Sequence, residues 1–507
     1  MKKILRFITQ RVVITALLIV LQVLLLFGFI WKLDNYFVYF YAGSVLLSLL
    51  ITLGIINSKS NPAYKIAWLI PILLFPVFGG LVYLLFGSDR TGRYLRKKLQ
   101  GIGTEMDNVI GEAHRRSGAE QLPPDAANQS RYISHCAYCP PYQNTTTEYL
   151  PLGEVKFERM VEELKKAKHY IFLEYFIIQE GKMWNTILDI LRQKAAEGVD
   201  VRVIYDDAGC LSLLPHNYAE MMRADGIRAF SFNRCVPMLN LVMNNRDHRK
   251  IMVIDGQIAF TGGVNLADEY INKIVRFGYW KDSGVRLDGP GAASLANIFL
   301  TFWKAKYPDE DLDAGCDLPA AVPVETDCLV QPFADSPVDR EAVAKNVYLE
   351  LINQAQKRLY ICTPYLILDN DLLSCLRLAA KRGVDVRIYT PGVPDKPTIY
   401  QLTRSYFPHL LRAGVKIYSY TPGFLHAKTW LVDDRIAAVG TVNLVYRSLY
   451  LHFENSVLLY GGAVLDDVRR DLAEIEKESA AVTLADCRTG FFGTLYSAVL
   501  RLVAPLC

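Results

Sequence analysis

His248-Arg-Lys250-Ile-Met-Val-Ile-Asp255-Gly-Gln-Ile-Ala-Phe-Thr-Gly262-Gly263-Val-Asn265 and His426-Ala-Lys428-Thr-Trp-Leu-Val-Asp433-Asp-Arg-Ile-Ala-Ala-Val-Gly440-Thr-Val-Asn443 are two copies of one pattern, H-x-K-x4-D followed by a Gly-bearing turn and an Asn. The chain has only 8 His in 507 residues, so two of them opening the same pattern is not coincidence. Each copy reads as a short apolar strand, a turn at its Asp, a second strand and a polar loop. Residues two apart share a strand face, so His248 projects with Lys250 and His426 with Lys428. Two half-sites, each an imidazole beside an ammonium, suggest one pocket for a phosphodiester.

The repeat extends outward from both copies. Tyr170-Ile-Phe-Leu-Glu-Tyr175 matches Tyr360-Ile-Cys-Thr-Pro-Tyr365, and Gly198-Val-Asp-Val-Arg202 matches Gly383-Val-Asp-Val-Arg387. In each half a helix ends at a Gly C-cap and leads into a continuous apolar strand. Alternating helices and strands predict an α/β layered fold of two similar halves.

On these residues the chain resembles the phospholipase D superfamily, and within it the bacterial cardiolipin synthases. The resemblance also takes in Asn61-Pro62 ahead of Ile66-Ala-Trp68 to Gly87, then Thr363-Pro364-Tyr365, Gly423-Phe-Leu-His426, and Arg447-Ser448 followed by Glu454. It implies two phospholipase D-like α/β/α sandwich halves about a pseudo-two-fold axis. It further implies a membrane-bound transferase that moves a phosphatidyl group from one phosphatidylglycerol to another, releasing glycerol and passing through a phosphohistidine. His248 would be the nucleophile, His426 the acid, and Asp282 and Glu454 the carboxylates that orient them. Two positions depart from the family pattern: Val445 stands where Asp is usual and His452 where Asn is common.

The residue types suit that chemistry. Attack on phosphorus needs a nucleophile, an acid for the leaving alkoxide and donors to the phosphoryl oxygens. One His per half supplies the first two roles. Lys250 and Lys428 would bind phosphate as cations, and Asn265 and Asn443 as amide donors, so no metal and no cofactor is expected. Asp255 and Asp433 complete the motif and count with the catalytic set, although an Asp on a turn ordinarily caps backbone amides.

Composition sets the surroundings. Hydrophobic residues make up 51% of the chain and mean hydropathy is +0.15. The excess lies in three runs, residues 12–31, 36–56 and 66–86, each long enough to span a bilayer. The expected division is a membrane region at 1–90, a basic connector at 91–150, one half at 151–306, a linker at 307–337, the other half at 338–475, and an apolar, membrane-associating tail at 476–507. The basic clusters around Lys2 and Arg96 both favour the cytoplasmic side, which three spans cannot satisfy, so either the third run, with Pro71, Pro76, Gly79 and Gly80, is broken or re-entrant or the N-terminus lies outside. The expected arrangement is a multi-pass membrane protein with a cytoplasmic catalytic domain, and the resemblance implies the bacterial cell membrane. A net charge of +4 carries no nucleic-acid footprint. Cys136-Ala-Tyr-Cys139 has half the spacing of a zinc site, but no second pair follows. Other readings stay open at this level: a phospholipase D hydrolase, a transferase using another alcohol, a nuclease, or a membrane scaffold whose site has decayed.

Overall fold

The computed structural model describes residues 37–58, 61–76, 122–235, 245–310, 321–339 and 341–506, with a few isolated positions before residue 100. The first half is a seven-stranded sheet. Its strands are β1 (Thr146–Leu150), β2 (Tyr170–Tyr175), β3 (Asp200–Asp206), β4 (Arg228–Phe232), β5 (Lys250–Ile254), β6 (Ile258–Gly262) and, after a short β7 (Tyr279–Lys281), β8 (Gly284–Asp288). They lie in the order β1-β8-β6-β5-β2-β3-β4. The second half repeats it with β9 (Leu329–Asp335), β10 (Arg358–Cys362), β11 (Asp385–Pro391), β12 (Lys416–Tyr420), then a short β13 (Gly423–Leu425), β14 (Thr429–Val432), β15 (Ile436–Gly440) and β16 (Glu454–Tyr460). Their order is β12-β11-β10-β14-β15-β16-β9, strand for strand the same, with β17 (Ser479–Val482) added beside β12.

The motif hairpins occupy the middle of each sheet. β5 runs antiparallel to β2, with Lys250 opposite Tyr175, and β14 antiparallel to β10. Each hairpin turns through two residues of positive φ, Asp255 (51°) and Gly256 (66°) in one half, Asp433 (51°) and Asp434 (56°) in the other. Positive φ at both central positions, with Gln257 N–H donating to the Ile254 carbonyl and Arg435 N–H to that of Val432, is the β-turn whose twist matches that of the strands. The helices Lys182–Ala196 and Asn370–Lys381 each end before a glycine of positive φ, Gly198 and Gly383, as the repeat predicts.

The halves are not beads on a string. One apolar cluster runs from Tyr149, Phe172 and Trp303 of the first half through Val330 and Trp430 to Ile475 of the second. Burying each large apolar side chain contributes about 1.5–3 kcal/mol, so this shared core fixes how the sheets meet. A small two-stranded sheet, β7 parallel to β13, also crosses between halves.

The expected boundaries shift where composition concealed structure. The segment 307–337, expected as a linker, contains β9, an edge strand of the second sheet; Pro332 is tolerated there because an edge strand has one face without ladder bonds. The connector 91–150 likewise ends in β1, and the tail 476–507 begins with β17.

Of the apolar runs, 12–31 lies almost wholly outside the described residues. Among the described residues no helix is long and apolar enough to be assigned as a membrane crossing. Helix Phe37–Asn57, 21 residues without a charged side chain, comes nearest. The next helix, Pro62–Leu74, is capped by Asn61 and docks on the second half, where the Asn61 amide donates to the Tyr450 hydroxyl at 2.8 Å and Tyr64 meets Tyr446 edge-on. The C-terminal helix Phe491–Val503 packs against helix Pro397–Leu411 through Ser497 and Arg501, while Phe491, Phe492, Leu495 and Val499 stay exposed.

Candidate active site

Each motif His is fixed first through its backbone. The His248 amide donates to the Phe453 carbonyl at 2.9 Å, and the His426 amide to the Lys281 carbonyl at 2.7 Å. Phe453 and Lys281 immediately precede Glu454 and Asp282. The contact that joins the halves therefore delivers a carboxylate to the opposite half's imidazole. His248 Nδ1 lies 2.9 Å from Glu454 Oε2, and His426 Nδ1 lies 2.6 Å from Asp282 Oδ2. Sequence placed each carboxylate downstream of a motif; the structure crosses them. All four side chains are buried. Side-chain bonds of Asn455 to Thr261, 2.8 Å, and of Ser283 to Thr429, 2.9 Å, stitch the same seam.

Electrostatics follow from burial. Desolvation pushes His248 down to about 3 and His426 down to about 4, against the attraction of Glu454 and Asp282. Burial raises Glu454, but its bond to His248 outweighs this and leaves it well below the usual carboxylate range. At neutral pH both imidazoles are neutral, and a carboxylate at Nδ1 fixes the proton there, leaving Nε2 as the lone-pair nitrogen. Burial also lowers Lys250 to about 8 and Lys428 to about 7, with Glu454 and Asp282 opposing. Each ammonium donates to the carbonyl of its own motif His, which uses one of its three N–H groups.

The remaining expected residues divide. Asn265 accepts from the Ile177 amide at 3.1 Å and donates to the Tyr270 hydroxyl at 2.7 Å, whereas Asn443 Oδ1 is buried with no hydrogen-bond partner. Asp255 and Asp433 do not join the site, which corrects their inclusion in the catalytic set. Seven residues of strand at about 3.3 Å each separate Asp255 from His248. Its carboxylate accepts from the amides of Lys168, His169 and Tyr170, at 2.8, 2.8 and 2.9 Å, at the start of β2. Asp433 does the same for Gln356, Lys357 and Arg358 at the start of β10. Both clamp hairpin to neighbouring strand.

Other residues at the site carried little sequence signal. Thr441 donates its hydroxyl to Glu454 Oε2. Gly263, its counterpart in the first half, leaves room for Asp282, whose Oδ1 would lie 2.0 Å from a Cβ built there. Lys156, on helix Gly153–Leu164, is fully buried near Asp282 and Lys250, its Nζ without a hydrogen-bond partner, and burial brings it down to about 7. Its one sequence signal is a Lys on the buried stripe with Met160 and Leu164. Val445 is buried at the start of helix Tyr446–Tyr450 and takes no part in holding either imidazole. Cys136 and Cys139 do not gather a third metal-type donor among the described residues. A cavity of about 490 Å³ lined by Leu122, Asn144, Asp327, Arg435 and Tyr460 lies at the far end of the β14–β15 hairpin, not at the imidazoles.

Comparison with known proteins identifies the family. Residues 160–276 and 348–475 match the family described as cardiolipin synthase, PLD-like domain, and residues 46–88 the phospholipase D-nuclease N-terminal family. The chain is 36% identical over 427 residues to a cardiolipin synthase of Halalkalibacterium halodurans, covering 83% of this chain and 84% of the relative. It is 37% identical to cardiolipin synthase 2 of Bacillus anthracis over 85% of this chain and 84% of that one. Among solved structures, phosphatidylserine synthase of Haemophilus influenzae shares the fold, with a TM-score of 0.57 at 17% identity over 75% of this chain and 98% of that one.

Proposed function

The chain belongs to the bacterial cardiolipin synthase family of phospholipase D-type phosphatidyltransferases, and from that premise we propose that it joins two phosphatidylglycerols into cardiolipin with release of glycerol. The observation that supports the mechanism is the crossed pairing: two buried imidazoles each have Nδ1 held by the opposite half's carboxylate, which leaves Nε2 of each for chemistry.

In the first step His248 Nε2 attacks phosphorus, an N–P bond forms, and the bond from phosphorus to the glycerol oxygen breaks. His426, protonated, gives its proton to that oxygen and glycerol leaves. Arrival of the anionic phosphodiester favours the charged imidazole, and Asp282 at 2.6 Å stabilises it. In the second step a hydroxyl of another phosphatidylglycerol passes its proton to His426 and attacks phosphorus. The N–P bond breaks, and cardiolipin departs. Lys250 and Lys428 bind the phosphoryl oxygens through their remaining N–H groups, with Asn265 and Asn443 as further donors.

We place the apolar N-terminal region in the bilayer and the two halves at its cytoplasmic face. The support is the uncharged helix Phe37–Asn57 with exposed Leu46, Leu49, Leu50 and Leu53, and the exposed apolar face of helix Phe491–Val503. Mass spectrometry of lipids and released glycerol, after the purified protein meets phosphatidylglycerol vesicles, tests the reading. Cardiolipin and glycerol in equal amounts are expected; phosphatidic acid as the main product would make the protein a hydrolase instead.

A further inference from the structure

His452 is the one imidazole at the site to which the reaction assigns no task. It lies two residues before Glu454. Its ring centroid is 5.5 Å from that of His248, and its Nδ1 is 3.8 Å from Glu454 Oε1, too long for a hydrogen bond. The side chain is only 10% exposed, and neither ring nitrogen has a hydrogen-bond partner. Glu454 Oε1 also lacks one, because His248 and Thr441 both use Oε2. Buried polar atoms are normally satisfied, so a ring nitrogen and a carboxylate oxygen left 3.8 Å apart without hydrogen-bond partners ask what they serve.

One nitrogen from each of His248 and His452 and one oxygen of Glu454 lie within 4.8 Å of one another. In a tetrahedral zinc site, bonds of about 2.0–2.2 Å put neighbouring ligand atoms roughly 3.3–3.6 Å apart, so modest side-chain rotation closes the set. Two imidazoles and a carboxylate suit a borderline ion such as Zn²⁺ and not Mg²⁺ or Ca²⁺, which take oxygen ligands.

We propose that His248, His452 and Glu454 form a binding site for a zinc-class divalent cation, and that the occupied site cannot transfer a phosphatidyl group. If the ion takes Nδ1 of His248, the ring's proton must sit on Nε2, where it removes the lone pair that attacks phosphorus. An ion on Nε2 uses that lone pair itself. Either way Glu454 ceases to orient the ring. The ion site stands on geometry alone, whereas the block rests on the role given to His248 above. The neighbouring charges of Lys250 and Arg447 oppose a cation, so affinity should be moderate.

The test uses the full chain in detergent micelles, stripped with EDTA and carrying Cys136→Ala and Cys139→Ala so that thiols do not compete. Zn²⁺ alone is titrated by calorimetry, Co²⁺ by visible absorption, and turnover on phosphatidylglycerol is measured alongside. One Zn²⁺ per chain is expected with Kd on the order of 10 µM. Turnover should fall at least about tenfold at saturation, recover with EDTA, and ignore Mg²⁺. In His452→Asn, and in His452→Gln should the first variant fold poorly, the affinity should drop at least about tenfold and the tetrahedral Co²⁺ spectrum disappear. No binding by the parent protein, or equal binding by a folded His452 variant, would overturn the site. Stoichiometric binding with undiminished turnover would leave the site standing and overturn the block together with the nucleophilic role of His248.

Discussion

The two half-sites share a backbone and differ in what surrounds the imidazole. His426 is packed among aromatic rings, Trp280 at 5.4 Å, Tyr270 at 5.5 Å and Phe424 at 5.7 Å, with Asp282 pressed into the space that Gly263 leaves open. His248 has one aromatic neighbour at 4.9 Å, Phe176, and otherwise faces polar groups: His452, and a Glu454 steadied by Thr441. A short aspartate in a close-fitting wall holds one ring at 2.6 Å; a longer glutamate holds the other at 2.9 Å. The shorter pair, set among aromatic rings, suits an imidazole that must take and return a proton without moving. The looser pair suits one that forms and breaks a bond to phosphorus. On the roles proposed above, the internal repeat would be specialised through its carboxylates, since the His and Lys positions remain alike.

The largest effect expected is from the imidazoles. His248→Ala or His426→Ala should each lower turnover by about 10²- to 10⁴-fold, with the double variant little worse, because both act on one sequence of steps. A single variant that keeps more than a tenth of normal turnover would break the assignment of one nucleophile and one acid.

Next come the carboxylates and the residues that seat them. Glu454→Gln and Asp282→Asn should each cost about 10²- to 10³-fold, since an amide no longer fixes the Nδ1 proton. Gly263→Ala, although it lies in the first motif's own loop, should behave as a defect of Asp282 and His426, by about 10²-fold, because its new methyl occupies the carboxylate's place. Thr441→Val should act on Glu454 and His248 and cost only about tenfold. Crystal structures or double-mutant cycles that couple Gly263 to His248 instead would undo the crossed arrangement.

A smaller effect separates the lysines from the imidazoles. Lys428, lowered by burial to about 7, and Lys250, lowered to about 8, carry their charge below those values and lose it as pH rises. In the free enzyme kcat/KM should therefore decline above about pH 7 to 8, while bound phosphate holds the lysines charged and keeps kcat level to higher pH. A kcat/KM profile flat to pH 9 would show that these lysines stay charged without substrate.

The smallest effect on chemistry should come from Asp255→Asn or Asp433→Asn. Each removes a charged acceptor from three backbone amides, so stability should fall by about 1–3 kcal/mol while kcat of the folded protein stays within about threefold of normal. Loss of kcat with unchanged melting would return both residues to the catalytic set.

Local sequence carried the parts of the fold that local rules govern. Alternation and glycine placement revealed the β5–β6 and β14–β15 hairpins, and the repeat of Gly-Val-Asp-Val-Arg revealed two equivalent sheets. The partner of each imidazole was not legible, because pairing His248 with Glu454 spans 206 positions and depends on how two finished sheets dock. The bond from the His248 amide to the Phe453 carbonyl has no pattern of its own. β9 was hidden by a Pro and an Asp-rich approach, and Lys156 by a helix that otherwise reads as an ordinary amphipathic surface. The Asn61 to Tyr450 bond shows a further limit: the N-terminal helix Pro62–Leu74 appears in sequence as membrane anchor alone, yet it packs on the short helix Tyr446–Tyr450 that leads to His452 and Glu454.

The most direct test of two specialised half-sites is to quench the reaction with phosphatidylglycerol in its first turnovers and map the phosphatidyl group by peptide mass spectrometry. The account predicts it on His248 in the parent protein, still on His248 but formed more slowly in Asp282→Asn, where His426 both protonates the departing glycerol and takes the acceptor's proton less well, and absent in Glu454→Gln. A phosphatidyl group on His426, or one that survives in Glu454→Gln and vanishes in Asp282→Asn, would contradict it.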